Sequence, residues 1–315
     1  ETNPGCAGDA RGSPAQVVER PDEVAGFASC ISLEPLPSHE AGGVLQLSAW
    51  RRRMKSGFVR LACLLVIMLS LHPVGAQNED GSANQKKARA TLDAMVAALG
   101  GQRWLSLTNT MQQGRTSGFY QGKPTGATSE FYEIQKFPDQ TRIELGKKRD
   151  VFEIISGEHV WEVTYKGKKE LPQDQVQELL RRRTHSIWTA VHVWLNDPRT
   201  VLIYDGQKLV ERHLADQTTL INADNDSITI QTDAETHLPL RRSYQWRDPV
   251  YKDKNTDAET YDNYQPVEGL PTPYTLTRYH NDDMTNQRFL THAGYDVPLT
   301  PDMFDPDVAA SKIKK

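Results

Sequence analysis

Between residues 201 and 295 the chain breaks into seven short segments of β-prone character, at 201–204, 217–222, 227–232, 240–246, 259–264, 274–280 and 288–295. Turn formers separate several of them: Asp205-Gly206, Asn225-Asp226, His237-Leu238-Pro239 and Glu268-Gly269-Leu270-Pro271. The strands are short and recur at roughly ten-residue spacing, with helices in just two places of the chain. The spacing therefore predicts one large antiparallel sheet, curved or forming an open barrel.

The same pattern begins further upstream. Residues 131–137 are rich in aromatics, 142–145 alternate, and Pro138-Asp139-Gln140 is a turn between them. Residues 150–156 and 159–165 form a hairpin around Ser156-Gly157-Glu158. In it Phe152 and Ile154 share one face of the first strand, and Trp161, Val163 and Tyr165 share one face of the second. Glu153, Glu162 and Thr164 take the other face, as expected of an antiparallel sheet solvated on one side.

Two stretches read as helix. Ala88, Leu92, Met95, Val96 and Leu99 form a stripe over 86–99 that Gly100-Gly101 closes. Val176, Leu179, Leu180, Ile187, Val191, Trp194 and Leu195 carry a stripe over 173–195, with a break near Thr184 and a stop at Asn196-Asp197-Pro198. Both helices are one-sided and must lie on the sheet. The second would bring Ile187, Val191 and Trp194 down as a cover on the hairpin patch. The candidate cavity residues are thus Phe152, Ile154, Trp161, Val163, Tyr165, Ile187, Val191 and Trp194.

Residues 54–76 differ from everything else. Lys55 and Arg60 precede an apolar run at 61–71, Pro73 breaks it, and Val74-Gly75-Ala76 sets small residues before Gln77. These are the parts of a cleavable secretory signal peptide. The apolar run is about half of the ~20 residues that span a bilayer. Residues 1–53 show no apolar period and are expected to be an upstream leader outside the native protein. Residues 77–85 are expected to be a flexible lead-in, 86–305 the folded domain and 306–315 a tail. Cys6, Cys30 and Cys63 all precede Gln77, so the exported chain carries no disulfide, which suits a bacterial periplasm. Cys63 stands at the front of the apolar run, whereas a lipid-attachment cysteine follows one, so no lipidation is expected.

The chemistry-bearing patterns are few. The net charge of −4 disfavours nucleic acid as a partner. No H-E-x-x-H occurs, and His185 and His192 stand two helical turns apart, about 10 Å, too far for one ion. No G-x-S-x-G and no Gly-rich phosphate loop is present, so no catalytic residue, metal or cofactor is expected. The polar run Tyr279-His280-Asn281-Asp282-Asp283 reads as a turn between strands. Arg181-Arg182-Arg183 reads either as a solvated helix face or as a meeting point for an acidic headgroup or membrane surface.

The order of elements resembles the LolA/LolB-like superfamily of outer-membrane lipoprotein-sorting proteins. The resemblance rests on FPDQTRIEL (137–145), RDVFEIISGEHVWEV (149–163), SITIQTDAETHLPLRRSYQW (227–246), YDNYQPVEGLPTPYTLTRY (261–279) and YDVPLTPDMFDP (295–306). It is strongest at Asp233 to Arg241 and at Val267 to Leu276, which are structural turns rather than catalytic signatures. The resemblance implies an unclosed antiparallel barrel with helices as a lid over an apolar cavity that takes acyl chains. It also implies the soluble periplasmic carrier type, since a lipid-attachment motif is missing. Relatives on this scaffold include envelope sensors, mycobacterial lipid carriers and a pigment-pathway enzyme, so fold alone does not fix function.

The expectation is a non-catalytic, monomeric periplasmic carrier for lipoprotein acyl chains or another lipid. Its partners would be that lipid and an inner-membrane export complex or outer-membrane receptor. The alternatives are an enzyme acting on a hydrophobic small molecule and an envelope sensor of lipid or peptide.

Overall fold

The computed structural model describes residues 76–313; the expected leader and nearly all of the signal segment lie outside them. Among the described residues, thirteen strands form one sheet. The first group is β1 (Asn109–Tyr120), β2 (Lys123–Lys136), β3 (Gln140–Leu145), β4 (Val151–Ser156), β5 (His159–Thr164) and β6 (Gly167–Glu170). The second is β7 (Val201–Val210), β8 (His213–Ile221), β9 (Ser227–Asp233), β10 (Pro239–Arg247), β11 (Lys254–Val267), β12 (Leu270–His280) and β13 (Asp283–Tyr295). Their order is β6-β5-β4-β3-β2-β1-β13-β12-β11-β10-β9-β8-β7. All neighbours are antiparallel, and β6 and β7 are left as edges, so the sheet does not close.

Each expected strand is present, and most are longer than the alternation suggested. The Asp205-Gly206 pair is not a turn. β7 runs through it with a register shift at Tyr204/Gly206, and the chain reverses at Glu211-Arg212, both at positive φ. Gly206, with φ 85°, takes the left-handed place that such a bulge needs. β1 was not foreseen, because Asn-Thr-Met-Gln-Gln-Gly-Arg-Thr-Ser-Gly has little apolar alternation. It nevertheless lies mid-sheet, bulged at Gln113/Gly114. A Cβ on Gly114 would stand 2.1 Å from the Phe289 carbonyl oxygen, so only glycine permits that approach.

The helices are α1 (Ala76–Leu99), α2 (Gln102–Leu105), α3 (Gln173–Thr184), α4 (Ile187–His192) and α5 (Pro306–Ile313), with a 3-10 turn at Trp194–Asn196. Residues 77–85, expected as a flexible lead-in, form the first turns of α1. Asn84 docks that end: its amide donates to the Tyr204 carbonyl and accepts from the Tyr204 N–H, both at 2.9 Å. The break near Thr184 falls between α3 and α4, where Ser186 caps α4 by accepting from the Thr189 N–H. Residues 306–313 of the expected tail are helical. Asp305 caps α5 by accepting from the Asp307 N–H at 2.8 Å, and Pro306 takes the first helical position, where its missing N–H costs nothing.

Side-chain alternation and cross-strand register give the sheet two faces. The inner face bears α1, α3 and α4. At one end Ala88, Leu92, Met95 and Leu99 pack with Ala190, Val191, Trp194 and Leu195 on Leu202, Leu220, Ile228 and Ile230. At the other end Val176, Leu179 and Leu180 of α3 pack on Ile155 and Val160. The outer face bears α5, where Ala309, Ala310 and Ile313 join Phe304 on Met111, Ile134, Phe152, Ile154 and Val163.

Candidate ligand-binding clefts

The hairpin patch forms in the expected register, with Phe152 opposite Val163 and Ile154 opposite Trp161. It faces outward, however, into the cluster closed by Phe304 and Ala309. Ile187, Val191 and Trp194 lie with α1 on the inner face, so the two halves of the expected cavity do not meet. Tyr165 lies beyond the end of β5 and is 78% exposed. The reason is local: β4 is apolar on both faces, with Phe152 and Ile154 outside and Ile155 inside. Alternation alone could not say which face the helical cover would take. α5, which read as part of a tail, and Phe304 before it cover the outer one.

The open space lies on the inner face, beneath α3. α3 packs on β4 and β5 through Val176, its C-terminal end is bonded to both the Gly157 turn and Arg242 of β10, and both of its sides leave room. On one side a cleft of about 440 Å³ runs between α3 and β10–β12. On the other a cleft of about 400 Å³ runs between α3 and β2–β4, reaching β12 and β13. Arg182, Arg242, Glu259 and Arg278 line both, and so mark their junction.

These residues meet because register carries them across the sheet in a row: Ile230, Arg242, Glu259 and Arg278 are successive partners on β9 to β12. The row passes from apolar to charged where α1 gives way to α3. Glu259 accepts from Arg242 at 3.0 Å, from Arg278 Nε at 2.9 Å and from the Tyr261 hydroxyl at 2.9 Å. Burial works to raise the Glu259 pKa, but the two guanidiniums outweigh it and hold the carboxyl well below the usual range. Arg242 also donates to the main-chain carbonyls of Arg182 and His185. Arg183 donates to the Gly157 carbonyl at 2.8 Å and to that of Asp139 at 3.1 Å. The C-terminal end of α3, whose last carbonyls lack helical partners, is thus tied to the sheet on both sides.

The larger cleft is polar and aromatic. Arg181 lies 3.7 Å above the Trp246 ring. Asp257 accepts from Trp246 Nε1 at 3.0 Å and lies 2.8 Å from His280 Nδ1. Tyr244 stacks on the His185 ring at 4.0 Å. Among the described residues, no hydroxyl donates to a histidine and no group of three metal-ligating side chains occurs.

The smaller cleft is mainly polar but carries an apolar strip. Ile143, Leu145, Ile155 and Leu276 form its floor and Leu179 of α3 its roof, while Glu133, Glu153, Arg278 and Arg288 supply charge. Arg288 Nη1 donates to Glu133 at 2.6 Å. Burial raises the Glu153 pKa, and Glu133 raises it further, against the pull of Arg182, Arg288 and Arg278.

Of these residues the sequence pointed only to the arginine run on α3. The strand charges carried a quieter signal: Arg242 with Tyr244, Glu259 with Tyr261, and Arg278 with His280 are pairs at i, i+2. That spacing puts a charge on the same face as a bulky ring, which marks a buried polar face.

No family model and no curated protein sequence matches the chain. Solved structures of similar fold do. One is a DUF1329 family protein from Desulfovibrio piger, 12% identical, covering 72% of this chain and 99% of that one with a TM-score of 0.49. A putative outer-membrane lipoprotein-sorting protein domain from Vibrio parahaemolyticus is 11% identical, covering 72% and 100%, with a TM-score of 0.47. A LolA superfamily protein from Nitrosomonas europaea is 11% identical, covering 70% and 98%, with a TM-score of 0.45. At these identities the likeness is one of backbone arrangement alone.

Proposed function

We propose that the protein is a non-catalytic binding or carrier protein of the periplasm, which holds an acyl chain of a lipid or lipoprotein in the smaller cleft. The observation that carries this reading is the apolar strip, Ile143, Leu145, Ile155 and Leu276 facing Leu179, within the cleft of about 400 Å³. Small-molecule sites run from roughly 300 to 1,000 Å³, so this cleft suits one chain rather than several. Each CH₂ removed from water contributes about 0.8 kcal/mol, and a handful give useful affinity. Delivery to an inner-membrane complex or an outer-membrane receptor would follow from the same binding step. The secretory pattern at 54–76 supports export.

Native mass spectrometry of protein purified from the periplasm tests the reading. The expected result is a co-purifying lipid, and an N-terminus at Gln77. Ligand-free protein that also fails to bind a fluorescent fatty-acyl probe would end the proposal.

A further inference from the structure

At the junction of the two clefts, guanidinium donors are left over once the protein's own hydrogen bonds are made. Three guanidiniums, Arg182, Arg242 and Arg278, line both clefts with one shared carboxylate, Glu259, while Glu153 and Glu133 stand in the smaller cleft within electrostatic reach of Arg278. Arg242 is committed to Glu259, Tyr261 and the end of α3. Arg278 donates to Glu259 through Nε alone, and its two terminal nitrogens have no acceptor among the described residues. Arg182, three-quarters buried at 26% exposure, pairs with Glu178, which is 55% exposed and out at the rim. Further along the face, the buried Nε of Arg288 has no partner. Proximity of like charge shows in the titration too: Arg278, and then burial, draw Arg182 down to about 10.

We infer that this junction is a subsite for one anionic oxygen group, a carboxylate or a phosphate, held between Arg182 of α3 and the free fork of Arg278 on β12. Both partners are guanidiniums, whose planar donor pairs match such oxygens bidentately. The inference rests on the acyl-binding reading of the adjoining cleft and names the ligand class: a single-chain anionic amphiphile. Leu276 lies two residues before Arg278 on the same face of β12, and Leu145 and Ile143 continue the floor from it. A head at the arginines therefore leads its chain onto the apolar floor. The same contact would bridge α3 to the sheet, so a bound head holds the strap in place.

Competition against a fluorescent fatty-acyl probe on the full chain tests this, with palmitate, a palmitoyl lysophosphatidate and the neutral monopalmitoylglycerol as competitors. Inorganic phosphate and acetate are titrated separately by calorimetry. The anionic amphiphiles are expected to compete about tenfold better than the neutral one. Arg182→Gln, whose partner is exposed, should erase most of that preference, the anionic competitors losing more affinity than the neutral one. Arg278→Gln, checked for folding by its thermal melt, should do the same. Palmitate and lysophosphatidate tell a carboxylate head from a phosphate head, and phosphate binding as strongly as lysophosphatidate would identify a free anion as the source. Equal competition by charged and neutral lipids, or a preference that survives in both folded variants, overturns the headgroup site and leaves the acyl reading standing. If no acyl compound binds, the acyl reading fails. Arginine-dependent binding of phosphate or acetate would then still support the anion site, and no binding at all would overturn both.

Discussion

Strand β4 presents its two faces to two different fates. Outward, Phe152 and Ile154 are 5% and 0% exposed, sealed by α5 and the segment before it. Inward, Glu153 and Ile155 face the cleft under α3, where charged and apolar residues share the walls. The same six residues thus line a closed core on one side and an open cleft on the other. The difference lies in what covers them. α5 lays Ala309 and Ala310 on the outer face, whereas the C-terminal end of α3 meets the inner face through Arg182 and Arg183, charged side chains with open space beside them. Close packing stabilises the fold; the polar band of the inner face keeps its clefts open.

The largest expected effect tests the closed side. Phe152→Ala should cost about 3–5 kcal/mol, the range for truncating a buried aromatic residue. Acyl-probe affinity, measured per folded molecule, should stay at the wild-type value. Loss of binding beyond loss of folded protein would mean that the outer face takes part in the site and that the contrast is false.

The open side predicts the reverse. Leu145 is half-buried and floors the smaller cleft. Leu145→Gln should weaken acyl-probe binding about tenfold, equivalent to about 1.4 kcal/mol, with a smaller change in melting temperature than Phe152→Ala produces. A large drop in stability with unchanged binding would make Leu145 ordinary core.

The contrast was only partly legible in the sequence. The strand series, the stripe from Ala88 to Leu99 and the interruption near Thr184 could be read because each is a run of apolar residues at one period. β1 escaped because it crosses the polar middle of the sheet, where Gln112 and Thr116 face the cleft and apolar alternation has nothing to report. The turn at Glu211-Arg212 escaped because neither residue is a usual left-handed former. α5 did carry a signal, Asp305-Pro306 as N-cap and first position, but its eight residues are too few for periodicity to speak. Arginines at the clefts depend on register over several strands, and no single segment encodes that.

A third and smaller effect sharpens the outer cover. Asp305→Ala removes the cap of α5 and should lower stability by about 1 kcal/mol. Probe binding should not change, and urea denaturation reads the first quantity while fluorescence titration reads the second. A binding loss here would tie α5 to the clefts across the sheet.

The smallest effect concerns Glu153, the one charge on the inner face of β4. Its pKa is raised, first by burial and then by Glu133. A carboxyl with a raised folded pKa binds its proton more tightly in the native state than in the unfolded chain. Its stabilising contribution is therefore full below the unfolded value, about 4.3, and is lost as pH rises through the folded value. At neutral pH the ionised carboxylate sits in the cleft at a cost. Glu153→Gln removes that cost while keeping the shape, so the variant should melt slightly higher than wild type at pH 7–8. The gap should narrow as pH falls towards 4, where the wild-type carboxyl carries its proton. Thermal melts at half-unit steps between pH 4 and 8 measure it. A gap that does not vary with pH would mean that Glu153 is solvated like any surface acid, and that the inner face of β4 is more open than the clefts imply.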